Sequence, residues 1–227
     1  MKILQVREKE IFETLKRISK YSFVVIGGYA VNAYTLPRFS VDCDIVVKDV
    51  SESYTFGKEL SLVGYFKAKD QKIDYGGAFI RYEKEIKNNI LVSVNILIGE
   101  VSDRLSGAKF TEAWIFKNSS LGLLPGKTIS EELRIRIISI DALLTMKICS
   151  CRSTDIRDVF MLLPNAKSFT WIKDEVAKRC NFKERIEIIL KKVSDTRFKN
   201  NLQGVYGYID HQVYNKHLKA IELLMRD

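Results

Sequence analysis

The chain has 227 residues, 46% of them apolar and 29% charged, with a formal net charge of +9. That length can bury a sizeable core in one large or two small domains, and the composition is that of a soluble globular protein, not a disordered one. No uncharged apolar run is long enough to span a bilayer, and MKILQVREKEIFETL at the start carries no apolar stretch followed by small residues. No membrane partner and a cytoplasmic location are therefore expected. The four cysteines, Cys43, Cys149, Cys151 and Cys180, form no C-x-x-C pair, and His211 and His217 are the only histidines. This argues against a zinc site and against histidine-based acyl transfer; reduced, mostly buried thiols and two surface histidines on a late helix are expected. The positive balance favours an anionic partner such as a nucleic acid or a nucleotide.

Taken in chain order, residues 4–19 place Leu4, Ile11, Leu15 and Ile18 at helical spacing. SFVVI, residues 22–26, is a short apolar run ending at Gly27-Gly28 and predicts a buried strand. Residues 29–36 predict a short helix stopped by Pro37. VDCDIVV, residues 41–47, predicts a second strand, with Val41, Cys43, Ile45 and Val47 on one face and Asp42 and Asp44 on the other. A helix over 54–63 and strands over 78–82 and 91–98 follow, with turns at 72–77 and 84–89. Residues 99–130 are mixed: a strand is expected at 113–116 and a loop at 122–127. Arg134–Ile138 alternates Arg with Ile, which predicts a strand. Beyond it the pattern is helical. Ser139 is the expected N-cap of one helix, and Ser153 or Thr154 of the next, which ends before Pro164. Further helices are predicted over 169–180, 183–193 and 207–226. An α/β part thus precedes an all-α part, dividing between residues 130 and 139.

The residues that carry chemistry lie between 26 and 44. A glycine pair between a strand and a helix lets backbone N–H groups come close to a phosphate. Asp42 and Asp44, at i and i+2, project from one face of the next strand. Hard divalent cations take such carboxylates together with substrate phosphates, and two like charges side by side are relieved by a cation. Each part alone is weak, since Gly-Gly is common in turns and D-x-D on solvated strands.

The joint pattern, Gly27, Gly28, Ala30, Arg38, Ser40, Asp42 and Asp44, resembles the nucleotidyltransferase superfamily of polymerase-β-like fold. It is closest to the branch of AbiEii-type toxins and minimal nucleotidyltransferases, whose motif reads G-G-x-A followed by R-x-S-x-D-x-D. Residues 138–162 are similar to that branch's later pattern of a helix bearing Leu-x-x-x-Lys before an Arg and an acidic helix. The resemblance implies an α+β fold: a nucleotidyltransferase-like mixed sheet flanked by helices over 1–138, then a helical bundle over 139–227. It implies an enzyme that moves a nucleoside monophosphate from an NTP to a hydroxyl with Mg²⁺ or Mn²⁺. Asp42 and Asp44 would hold metal, Gly27, Gly28, Arg38 and Ser40 would bind nucleotide, and Lys147 would neutralise phosphate. Asp155 or Asp158 would stand near the site. RNA, such as a tRNA 3′ end, is the implied acceptor, and a cognate antitoxin the implied partner. A protein or small-molecule acceptor is the alternative.

One position departs from the superfamily. A third carboxylate is expected on a later strand, and in LVSVNILIG that position holds Asn95. A neutral amide is a poorer cation partner and no general base. Asp74 or Glu83 could supply the charge instead, two carboxylates could suffice, or the protein could bind nucleotide or RNA with weakened catalysis. Arg134, Arg136, Lys173, Lys178, Arg179, Lys183, Arg185, Lys191 and Lys192, with Tyr206, Tyr208 and Tyr214, make an RNA-binding surface plausible.

Overall fold

The computed structural model describes residues 3–68, 78–86 and 89–226. Helix α1 (Ile3–Ile18) leads to β1 (Val24–Ile26), α2 (Gly27–Asn32), β2 (Asp42–Val47), α3 (Val50–Leu62) and the two-residue β3 (Phe66–Lys67). Long strands β4 (Ala78–Ile86) and β5 (Ile90–Ile98) follow, then a small hairpin of β6 (Glu100–Ser102) and β7 (Lys109–Thr111). Helix α4 (Glu112–Lys117) precedes a second hairpin, β8 (Ser119–Pro125) and β9 (Glu132–Ile138). Six helices complete the chain: α5 (Ile140–Ser150), α6 (Ser153–Leu162), α7 (Phe169–Ala177), α8 (Phe182–Val193), α9 (Thr196–Tyr206) and α10 (His211–Arg226). Among the described residues no helix is long and apolar enough to cross a membrane.

The main sheet has seven strands in the order β3-β4-β5-β2-β1-β9-β8. Strands β2 and β5 are parallel, as are β1 and β9, and the other pairs are antiparallel. It is thus the expected mixed sheet flanked by helices, followed by a helical region. Central strands are apolar because they are covered: Val24, Val25, Ile45, Val46, Val47, Val92 and Ile96 are fully buried. One continuous apolar cluster runs from Ile11, Phe12 and Leu15 of α1 through the sheet to Ile189 and Leu224 in the last helices.

Several expectations change. Helix α2 spans 27–32, not 29–36, because Gly27 opens it and the buried Asn32 side chain holds the backbone of Arg38. Val41 precedes β2 and is exposed. Residues 113–116 are helical, since Thr111 accepts the Trp114 N–H as an N-cap. Residues 122–125 pair with β9 and do not form a loop, because buried Leu124 anchors the strand opposite Leu133. Ser139 caps α5 as expected, but Arg152, not Ser153 or Thr154, precedes α6 and makes no side-chain cap. Asp195 caps α9, a helix over residues where none was expected, and Gly207 at φ +87° ends it. His217 is buried with Nδ1 2.7 Å from the Phe160 carbonyl oxygen, whereas His211 is exposed. The predicted turn at 72–77 and Asp74 lie outside the described residues.

Phe160 fixes the helical region to α6. Its ring lies 5.2 Å from Phe198, 5.0 Å from Tyr214 and 5.3 Å from His217, on α9 and α10. Phe160→Ala removes this buried hub. Urea unfolding should show a loss of roughly 3–5 kcal/mol.

Candidate active site

Strand alternation builds the site. In β2, Cys43 and Ile45 enter the core, so Asp42 and Asp44 emerge together on the opposite face. Strand β5 runs parallel beside it and sets Ser93 opposite Asp42 and Asn95 opposite Asp44. Strand β4 on the far side of β5 sets Arg81 opposite Asn95 and Glu83 opposite Ser93. Six polar side chains from three strands therefore share one face.

They are bonded to one another. Asn95 Nδ2 donates to Asp44 Oδ1 at 2.8 Å. Ser93 Oγ donates to Asp42 Oδ1, and Arg81 Nη2 lies 3.1 Å from the same oxygen. Arg81 Nε donates to Glu83 at 2.8 Å. Burial is the main influence on the Asp44 carboxyl. It outweighs the Asn95 hydrogen bond and, with the neighbouring Asp42 charge, pushes the pKa up to about 6.

Gly27 closes over this pair. It has φ +65°, and a Cβ there would run into the Asp44 carboxylate. The glycine pair thus serves close packing on both sides, because a Cβ on Gly28 would collide with the Ser40 hydroxyl.

Asp42, Asp44, Gly27 and Asn95 line a cleft of about 550 Å³, a size suited to a small ligand. Its floor continues along the same sheet face into apolar Phe79 and Leu97. The facing wall is α5, through Leu143, Met146, Lys147 and Ser150, and the β6–β7 hairpin, through Val101, Asp103 and Phe110. Arg104 and Arg152 add cationic side chains to the lining.

Lys147 reaches this cleft but is 7% exposed and already paired, 3.0 Å from Asp155 and 2.7 Å from Asp158. Asp155 also accepts from Ser150 and Arg152. Asp158 accepts both Arg38 Nε and Nη2 at 2.7 Å in a two-pronged bond, and the Tyr206 hydroxyl at 2.9 Å. Burial alone would raise the Asp158 pKa; Lys147 and Arg38 outweigh it and hold the carboxyl down at about 2.

The structure therefore divides the residues singled out from the sequence. Asp42, Asp44, Gly27, Asn95, Lys147 and Asp155 meet at the cleft. Arg38 and Ser40 line a separate small depression beside Tyr29. Ser40 Oγ donates to the Asp42 carbonyl at 3.0 Å, and Arg38 is turned to Asp158. Asp158 is buried behind Lys147. Tyr206 belongs to this internal network, and Tyr208 is the exposed member of the tyrosine group. Sequence reasoning missed Arg81 and Ser93. Ser93 was within reach, being two residues before Asn95 and so on its face; Arg81 required the β4–β5 register.

No family model matches the chain, and no curated protein does. Solved structures do. A protein from H. pylori assigned to the nucleotidyltransferases matches with TM-score 0.58 and 16% identity, over 100% of this chain and 96% of that one. JHP933 from Helicobacter pylori gives 0.57 and 16%, over 100% and 93%. An antigenic nucleotidyltransferase-like protein from Paracoccidioides brasiliensis gives 0.50 and 13%, over 94% and 96%. The described part of the chain shares the fold of these structures.

Asp158→Asn leaves Lys147 and Arg38 short of a counter-charge. At neutral pH it should cost roughly 3–5 kcal/mol in chemical denaturation. A carboxylate with a depressed folded-state pKa stabilises the fold above its unfolded pKa, near 4, and stops doing so as pH falls through the folded value. The gap between wild type and variant should therefore narrow between about pH 4 and pH 2; a gap constant across that range would contradict the ionised network.

Proposed function

We propose that the protein is a nucleotidyltransferase that moves a nucleoside monophosphate from an NTP to a hydroxyl. The acceptor hydroxyl's oxygen forms a bond to the α-phosphorus and its proton passes to solvent, while the bond from that phosphorus to the bridging oxygen breaks and pyrophosphate leaves with the electron pair. The observation that carries this reading is the pair Asp42 and Asp44, side by side on one strand face at the base of a nucleotide-sized cleft under Gly27.

The donor chemistry fits Mg²⁺ or Mn²⁺. Asp42 and Asp44 offer carboxylate oxygens, and the Asn95 Oδ1 beside them is buried without a hydrogen-bond partner. A divalent cation held there would neutralise phosphate charge and favour the attacking hydroxyl's ionised form. Gly27 keeps side-chain bulk away from the phosphates. Lys147, fixed by Asp155 and Asp158, contributes positive potential from the wall, and Arg104 and Arg152 add to it. Gly28, Arg38 and Ser40 act in this reading by shaping the chain that leads into β2. Phe79 and Leu97 offer an apolar surface for a base.

RNA, including a tRNA end, is the acceptor we favour. Its support is the charge of +9 and exposed Lys178, Lys183 and Lys191 in the helical region. Assignment to the AbiEii-type branch, with a cognate antitoxin, rests on the motif of residues 27–44. A second reading, a nucleotide- or RNA-binding protein with weakened catalysis, is favoured by one observation: Asn95 occupies the place beside Asp44 where a third carboxylate is expected.

Incubation with each α-labelled NTP, Mg²⁺ and total RNA or cell extract tests these readings. Transfer of label to RNA is expected, and Asp44→Ala should reduce it at least about a hundredfold. Label on protein or a small molecule would move the acceptor. NTP binding with no label transferred anywhere would leave the second reading standing.

A further inference from the structure

We propose that this pocket is built to hold one divalent cation, not the two that a carboxylate triad takes, because Arg81 supplies the positive charge the second ion would bring. The inference rests on the reading of Asp42 and Asp44 as the metal-holding pair.

Two ions a few ångströms apart share carboxylates, which damp their mutual repulsion. Among the described residues no group of three or more histidine, cysteine, aspartate or glutamate side chains is placed to hold a metal. The third group beside the pair is Asn95, which brings an oxygen but no charge. Asn95 is 7% exposed. Its Nδ2 is spent on Asp44 Oδ1, and its Oδ1 lacks a hydrogen-bond partner. A buried amide oxygen left unsatisfied is costly. Because Asn95 lines the cleft, a bound ion or its water would satisfy that oxygen.

Arg81 is a permanent cation, and it sits 3.1 Å from Asp42 Oδ1 and 2.8 Å from Glu83 Oε1. Its Nη2 also donates to Ser93 Oγ at 3.2 Å. Asp42 on β2, Glu83 on its own strand β4 and Ser93 on β5 together hold the guanidinium in place. Three carboxylates, Asp42, Asp44 and Glu83, against this one guanidinium leave two negative charges. One dication neutralises them, whereas a second would leave the face with an excess of two positive charges. Lys147 does not alter this balance. With Arg38 and Arg152 it faces Asp155 and Asp158, three cations against two anions, so the wall holds no uncompensated carboxylate that would call for a second ion.

Glu83 therefore acts here through Arg81. It lies on β4 opposite Ser93, two strands from the Asp42–Asp44 pair with β5 between them. The acid that could have replaced the missing third carboxylate instead anchors the cation that makes it unnecessary.

Mn²⁺ titrated into the full chain, with free ion followed by electron paramagnetic resonance, reads the stoichiometry directly. Wild type should bind one Mn²⁺ per chain, and Asp44→Asn should weaken that binding at least tenfold. Arg81→Gln, which removes the competing charge, should tighten the first ion roughly tenfold and admit a second. Asn95→Asp should also admit a second ion. Thermal melts show which variants are folded, and either Arg81→Gln or Asn95→Asp suffices. Two ions of similar affinity in wild type, no ion at all, or a single ion indifferent to both Asp44→Asn and Arg81→Gln would overturn the proposal. The two readings fail separately. A chain that binds one ion but transfers no label loses the functional reading alone. A chain that transfers label while holding two ions loses this one.

Discussion

The carboxylate of Asp158 has one buried and one half-buried cation and a buried hydroxyl around it, and they arrive from different parts of the chain. Arg38 belongs to the segment entering β2, Lys147 to α5 and Tyr206 to α9. A carboxylate so deep in the protein would ordinarily prefer to be neutral. Here it is ionised because two permanent or near-permanent charges meet it. Removing Asp158 leaves Arg38 without its carboxylate and Lys147 with Asp155 alone in a poor solvent for charge, so the arrangement depends on that one side chain. It also couples places that the apolar core alone would join without fixing their orientation. The segment 38–40 is set relative to α5, and α5 is the wall that faces Asp42 and Asp44 across the cleft.

The cleft's sheet floor depends on register in the same way. A slip of one residue between β2 and β5 would turn Ser93 and Asn95 into the core and bring Val94 and Ile96 beside the acids. Cys43, Ile45 and Val47 prevent this on one strand, and Val94, Ile96 and Ile98 on the other, since all are buried. The apolar residues thus choose which face the polar ones occupy. Gly27 then brings the start of α2 down over Asp44, an approach closed to any residue with a Cβ.

Much of this was legible from residues 22–47, because alternation and a glycine pair are local signals. The strand, the Gly-Gly corner and the outward acids of β2 follow from period and steric freedom within twenty residues. What was illegible depended on tertiary partners. Nothing local distinguishes Arg38 as a phosphate ligand from Arg38 as the partner of Asp158, 120 positions later. Lys147 reads as a helix lysine until its two aspartates are placed. Tyr206, read as a base-stacking aromatic, donates inward instead. Residues 113–116 misled because Trp, Ile and Phe favour strands, whereas the Thr111 cap decided for helix. Residues 122–125 misled because Gly122 suggested a turn, whereas pairing with β9 decided for a strand.

Asn95 shows how far a single side chain reaches in such a site. An aspartate there would place a third negative charge against Asp44, whose carboxyl is already raised by burial and by Asp42. Three adjacent carboxylates hold together only when cations separate them. The amide reverses the sign of the contact: its N–H stabilises Asp44 in the ionised form, with no ion needed for that purpose. Arg81 does the same for Asp42. Each acid of the pair therefore has its own resident partner, one neutral and one charged. The floor of the cleft can fold with its carboxylates ionised before any cation or nucleotide arrives. That preorganisation has a chemical cost, because the groups that hold the acids in place also compete for their oxygens, and neither an amide nor a guanidinium can take a proton from an attacking hydroxyl.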